Sequence, residues 1–242
     1  MYRSLNPEKI VTTVRLLRNR IQERFPEASL AGVAGELLRV AEQAQANSAA
    51  ISRPLIPLRC GIGVLVLGFL FTIGWIGFHL RISTQIDRFS EFLQALDAAL
   101  NTVLLAGGAI FFLFTLEIRI KRNRGLKLLH ELRALAHIVD MHQLTKDPAT
   151  ITGLATRTAS SPVRSMTRFE LARYLDYCSE MSSLIGKIAA LYVQDYDDEV
   201  VMGAVDQIED LTTSLSRKTW QKITLLNTLQ SDGGGFSDNL DD

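Results

Sequence analysis

Residues 60–80 read CGIGVLVLGFLFTIGWIGFHL and contain no Asp, Glu, Lys or Arg, while Arg59 precedes them and Arg81 follows. At about 1.5 Å of rise per residue, a helix of this length crosses the ~30 Å hydrocarbon core of a bilayer. A second run without charged residues, AALNTVLLAGGAIFFLFTL, occupies residues 98–116. The two runs therefore predict a transmembrane helical hairpin over residues 58–118.

The distribution of Lys and Arg predicts the orientation of this hairpin. The connection between the runs carries two arginines against three acids, whereas residues 119–127, shortly after the second run, are strongly basic and contain no acid. Because cytoplasmic flanks are enriched in Lys and Arg, we expect both termini to be cytoplasmic. We name the basic segment the basic collar and expect it to bind lipid head groups; it comprises Arg119, Lys121, Arg122, Arg124 and Lys127.

The remaining chain is polar with a helical pattern, so the predicted fold class is all-α. Residues 1–57 predict N-terminal cytoplasmic helices, which begin at Asn6-Pro7, and residues 119–230 predict a longer cytoplasmic helical region. The second membrane helix is expected to continue to about Leu144. Residues 231–242, SDGGGFSDNLDD, predict a disordered acidic tail.

The amphipathic helices outside the hairpin must bury their apolar faces. Each helix has one apolar stripe, so the stripes must pack on one another or on a second copy of the chain. The heptad-like spacing around residues 201–215 favours a helical bundle or coiled coil, and we expect a homo-oligomer. The formal net charge is zero, which gives no basic field for nucleic acid.

Three histidines that lie on one predicted helix, His130, His137 and His142, raise the hypothesis of a metal site. His130 and His137 share one helix face with Asp140 nearby, but the i, i+4 histidine pair of a helical zinc site is missing. We expect His137 and Asp140, at i and i+3, to form a hydrogen-bonded pair. The sequence contains no phosphate-binding or nucleophile-elbow motif, so no enzyme, metal or cofactor is predicted.

A pore is the alternative that the second run supports. One broad face of the run is lined by Asp97, Asn101, Gly108, Phe112 and Thr115, which in a ring of protomers would give an acidic mouth and an apolar constriction. The layout is loosely similar to that of mitochondrial calcium-uniporter-type channels. The chain lacks their Trp-Asp-x-x-Glu-Pro motif between the runs, so the resemblance is architectural and implies no function.

The interpretation that best fits these patterns is a non-enzymatic membrane protein, an oligomeric scaffold or membrane-anchored interaction module. It would contact membrane lipids, further copies of itself and a cytoplasmic protein partner. An ion channel or pore-type effector is the alternative, and a metal-dependent protein that uses the histidine-bearing helix is the third. The simple hairpin and the absence of a targeting peptide suggest a bacterial inner membrane.

Overall fold

The computed structural model describes residues 4–51, 55–79, 89–148, 166–194 and 196–233. Within these ranges the secondary structure is helical and contains no strand, as the all-α prediction requires. Residues 149–165, the connection between the apolar runs before Phe89 and the expected tail beyond Gly233 lie outside the described residues; residues 231–233, the start of that tail, are helical. The helices are α1 (Pro7–Arg24), α2 (Ser29–Ile51), α3 (Ile56–His79), α4 (Phe89–Leu144), α5 (Arg168–Val193) and α6 (Glu199–Gly233).

The starts of α1, α5 and α6 are set by local capping. The Asn6 side chain accepts a hydrogen bond from the Lys9 backbone N–H at 3.1 Å, and Pro7 occupies the first turn, as predicted. Thr167 and Glu170 form the reciprocal capping box of α5. Such caps satisfy backbone N–H groups that have no partner inside the helix. Before α6, Asp198 Oδ1 accepts from the Val201 N–H at 3.2 Å.

The chain divides into two compact units, residues 1–52 with 124–242, and residues 53–123. We name the first unit the bundle and the second the hairpin; the boundary between them falls within α4. The bundle is therefore built from segments on both sides of the hairpin in sequence. Its core contains residues of α1, α2, the C-terminal part of α4, α5 and α6, among them Leu17, Ile21, Leu37, Leu132, Ile185 and Ile208.

Polar contacts define how α1 and α5 run in the bundle. The Leu5 backbone N–H donates to Gln194 Oε1 at 2.6 Å, and the Arg20 guanidinium lies 2.6 Å from Glu180 Oε2. The start of α1 thus meets the end of α5, so the two helices are antiparallel. Apolar side chains of both helices close the space between them.

Helix α4 extends the same core through its last 21 residues. Arg133 Nη2 donates to Gln207 Oε1 at 2.8 Å, and Thr219 contacts Gln143 further along both helices. The C-terminal part of α4 therefore runs parallel to α6. The expected continuation of the second membrane helix to about Leu144 is confirmed, because α4 is one helix that ends at this residue.

The hairpin contains the two apolar helices. Both α3 and α4 contain a segment long and apolar enough to cross a membrane, and no residue in the most apolar window of either helix is buried. Large side chains such as Phe71, Leu104 and Phe111 are about 70% exposed. Exposed apolar surface of this extent in two neighbouring helices is typical of segments that lipid covers.

Candidate functional site

A carboxylate is buried at the base of the hairpin, where the second apolar run ends. Glu117 is 5% exposed, and its Oε1 lies 3.0 Å from Lys121 Nζ, one turn further along α4. Its Oε2 lies 3.4 Å from Arg59 Nε in α3, and the Leu55 backbone N–H donates to Oε1 at 3.4 Å. We name these four residues the Glu117 cluster. The cluster joins the beginning of α3 to α4 through ionic and hydrogen-bonding contacts.

The two cations of the Glu117 cluster differ in their exposure. The Lys121 side chain is only 14% exposed, whereas 59% of the Arg59 side chain is exposed. Lys121 is therefore the main neutralising partner of the buried carboxylate, because it is the cation that solvent screens least. Arg59 keeps free guanidinium surface that could contact an anionic head group.

All five residues of the basic collar lie on α4, as expected. Arg119, Arg124 and Lys127 are exposed, and Arg122 is half-buried. Lys121 differs from them because it is engaged with Glu117. The collar therefore offers cationic side chains along two to three helical turns, an arrangement that can attract anionic lipid.

The suggested pore-facing residues also lie on α4. Asp97, Asn101, Gly108 and Phe112 are exposed, and Thr115 is half-buried. Thr115 Oγ1 donates to the carbonyl of Phe111, one turn earlier in the same helix, at 2.8 Å. The Thr115 hydroxyl is thus satisfied within α4 and does not require a water-filled lumen.

The histidines of α4 have separate surroundings. His130 and His137 are exposed, while His142 bridges the Ser29 hydroxyl and the Ile138 carbonyl, each at 2.9 Å. In the described part of the chain, no three His, Cys, Asp or Glu side chains lie close enough together to hold a metal ion.

A polar layer crosses the bundle between α4 and α6, and the sequence patterns did not reveal it. Gln143 is 2% exposed; its amide donates to Asp140 Oδ1 at 2.8 Å and its Oε1 accepts from the Thr219 hydroxyl. Lys222 Nζ donates to the backbone carbonyl of Gln143 at 2.6 Å. Asp140 Oδ1 therefore accepts a hydrogen bond from Gln143. The i, i+3 spacing had instead predicted that Asp140 pairs with His137.

The buried thiol of Cys178 does not favour nucleophilic chemistry. Cys178 is fully buried in α5, and burial raises the pKa of its thiol to about 12 despite the nearby Lys146 and Lys222. A thiol with such a pKa is protonated at neutral pH, and the thiol form is not a nucleophile. Its surroundings are those of a small apolar core residue.

The Glu117 cluster had a partial signal in the sequence. Glu117 directly follows the second apolar run and precedes Lys121 by four residues, which predicts an ion pair on one helix face. Nothing in the spacing indicates Arg59 or Leu55, because their approach depends on how α3 packs on α4. Comparison with protein-family models, with characterised proteins and with solved structures finds no significant match to this chain.

Proposed function

We propose that this chain is a two-span integral membrane protein whose hairpin anchors a non-catalytic helical bundle that acts as a scaffold or interaction module. The observation that carries the proposal is the contrast between the two units. The bundle buries its apolar stripes within one chain, whereas the apolar side chains of the hairpin are exposed. A surface of that kind needs lipid, and a closed bundle does not.

The basic collar supports an orientation with both termini in the cytoplasm. Five cations within nine residues favour retention on the cytoplasmic side, and each is worth about 1 kcal/mol near anionic lipid. A bacterial inner membrane is the proposed location. The Glu117 cluster would then lie near the cytoplasmic face and hold the two membrane helices together.

We also propose that the protein forms homo-oligomers, through the few large apolar side chains that the bundle leaves exposed. The bundle core leaves a few large apolar side chains exposed, including Ile138, Met141 and Leu144 at 42%, 63% and 59% on α4. Such positions could contact a second copy or a protein partner. The Thr115 hydroxyl donates to a carbonyl of its own helix and needs no water, which favours a membrane anchor over a water-filled pore.

Thiol accessibility tests the membrane arrangement. In a Cys60→Ser/Cys178→Ser background, Ser83→Cys probes the connection between the spans, and Thr213→Cys probes an exposed position of α6. We expect a membrane-impermeant maleimide to label Ser83→Cys in intact bacterial cells. Thr213→Cys should react only after permeabilisation. Labelling of both sites in intact cells, or extraction of the protein by alkaline carbonate, would contradict the proposal.

A second experiment separates a scaffold from a channel. Native mass spectrometry of the detergent-solubilised protein should report an oligomer and retained lipid. Liposomes that contain the purified protein should show no ion flux above empty liposomes. Flux that changes in Asp97→Asn would instead favour the channel, because the proposed acidic mouth would have lost its charge.

A further inference from the structure

Three arginines of the bundle surround one surface cavity of about 330 Å³, which is formed by the last turns of α1 and the first turns of α5. This volume is at the lower end of the ~300–1,000 Å³ that small-molecule sites occupy. The cavity is far larger than a single water needs, which is ~30 Å³. The lining residues are Arg20, Glu23, Arg24, Arg173 and Tyr177.

Arg24 contributes a guanidinium whose charge no carboxylate neutralises among the contacts of the described residues. Its Cζ lies 5.5 Å from the centre of the Phe169 ring, and this cation–π contact orients the planar group without cancelling its charge. Arg20 precedes Arg24 by four residues, so the two cations repel each other on one face of α1. An anion between them would relieve that repulsion.

Arg20 and Arg173 are held in place but keep unused donors. Arg20 pairs with Glu180 at 2.6 Å, and its Cζ lies 5.8 Å from the centre of the Tyr177 ring. Arg173 Nη1 pairs with Asp176 at 2.7 Å. Arg173 Nε is buried and has no hydrogen-bond acceptor in the described part of the chain. A buried N–H without an acceptor is unfavourable, whereas the Arg173 side chain as a whole is 41% exposed, so its other N–H donors are open to an incoming oxygen atom.

We propose that this cavity binds a phosphate monoester, either as a free small molecule or as the head group of a lipid. The lining holds three guanidinium groups and the carboxylate of Glu23, and Arg24 is the guanidinium that has no carboxylate partner among the described contacts. Guanidinium forks match the oxygen geometry of phosphate and can donate two hydrogen bonds each. Glu180 pairs with Arg20 and Asp176 pairs with Arg173, so together with Glu23 they balance the formal charge of the three arginines, and we expect modest affinity.

Calorimetric titration of the full-length protein in phosphatidylcholine nanodiscs tests the free ligand. The probe is glycerol 3-phosphate, and dimethyl phosphate, a diester with one charge, is the comparison. We expect saturable binding of the monoester and at least about tenfold weaker binding of the diester. No saturable binding of the monoester, or equal binding of the diester, would overturn the proposed site unless the lipid arm below shows an Arg24-dependent effect.

Substitutions then locate the site. Arg24→Gln and Arg173→Gln should each weaken glycerol 3-phosphate binding about 10- to 100-fold, because each removes charge-assisted hydrogen bonds. Arg24→Lys should lose an intermediate amount, since it keeps the charge and lacks the fork. Arg18→Gln is the matched control, an exposed arginine of the same helix outside the cavity. A loss in Arg18→Gln equal to that in Arg24→Gln would refute the site.

A separate thermal-stability experiment tests whether the phosphate monoester is the head group of a lipid. Nanodiscs that contain phosphatidic acid should raise the thermal transition of the wild type more than that of Arg24→Gln if a head group is the ligand, because the basic collar contributes equally in both proteins. An Arg24-dependent response to glycerol 3-phosphate in pure phosphatidylcholine identifies a free phosphate monoester instead. Far-UV circular dichroism of each variant shows whether the bundle is folded. A phosphatidic acid effect of equal size in the wild type and Arg24→Gln counts against a lipid head group in this cavity.

Discussion

Replacing Glu117 with glutamine would leave the Lys121 ammonium without the carboxylate that lies 3.0 Å away from it. Lys121 is 14% exposed and has little solvent to replace that partner, whereas Arg59 is 59% exposed and can turn to water. The substitution keeps the side-chain shape and removes one negative charge. Its effect therefore reports mainly on the Glu117–Lys121 ion pair.

The magnitude follows from the exposure of the two cations. An exposed i, i+4 pair on a helix is worth about 0.3–0.5 kcal/mol, whereas removal of one member of a buried pair costs about 3–5 kcal/mol. Glu117 and Lys121 are closer to the buried limit, so we expect Glu117→Gln to destabilise the hairpin by about 2–3 kcal/mol. The Glu117–Arg59 coupling should remain below about 1 kcal/mol, because Arg59 is more than half exposed.

The assay is a double-mutant cycle in mixed micelles, with unfolding driven by sodium dodecyl sulfate. The chain contains two tryptophans, so a Trp220→Phe background leaves Trp75 of α3 as the reporter of the hairpin. Lys121→Met and Arg59→Met complete the two cycles with Glu117→Gln. Asp97→Asn is the matched control, because it makes the same acid-to-amide change at an exposed position of α4.

Two results would refute this reasoning. One is a Glu117→Gln variant whose stability lies within about 0.5 kcal/mol of the wild type, because the nearly buried Lys121 ammonium would then have lost its neutralising partner at almost no cost. The other is a coupling of Glu117 to Arg59 that exceeds its coupling to Lys121. That order would mean that exposure does not determine which cation neutralises the carboxylate.

Two further predictions concern the bundle. Leu132 is fully buried, so Leu132→Ala should lower the free energy of unfolding by about 2–5 kcal/mol in urea titrations. Leu144 is 59% exposed, so Leu144→Ala should change that free energy by less than about 0.5 kcal/mol. Similar losses of stability in the two variants would contradict the assigned core. The backbone N–H and the hydroxyl of Thr167 hydrogen-bond to the Glu170 carboxylate and lower its pKa from the ordinary 4.5. The stability that this carboxylate contributes is therefore present above pH 4.5, and it is lost as the pH falls through the lowered pKa of the folded state. The stability difference between wild type and Glu170→Gln should therefore begin to shrink below about pH 4.5 and close once the pH is below the lowered pKa; a difference that does not change with pH would exclude the charged cap.

The sequence alone determined the features that depend on short stretches of chain. The length of the uncharged run at residues 60–80 is enough to predict a helix that could span a membrane, because backbone rise and bilayer thickness are general quantities. The Asn6 cap and the Thr167–Glu170 box were likewise readable, since the partners lie within three residues of each other. The continuation of α4 to Leu144 followed from an unbroken helical pattern without Pro.

Only the tertiary structure decided which distant segments share a core. Residues 1–57 and 119–230 read as separate helical regions, and each apolar stripe fits several partners equally well. In the bundle α5 packs against α1, α2 and α6, and the end of α4 contributes to the same core. The packing of α3 on α4 brings Arg59 to Glu117, and the packing of the bundle brings Thr219 to Gln143 and places Arg173 at the same cavity as Arg24. These contacts join residues that are 58 to 149 positions apart, and no local periodicity encodes them, because they arise from the shape complementarity of whole helix faces.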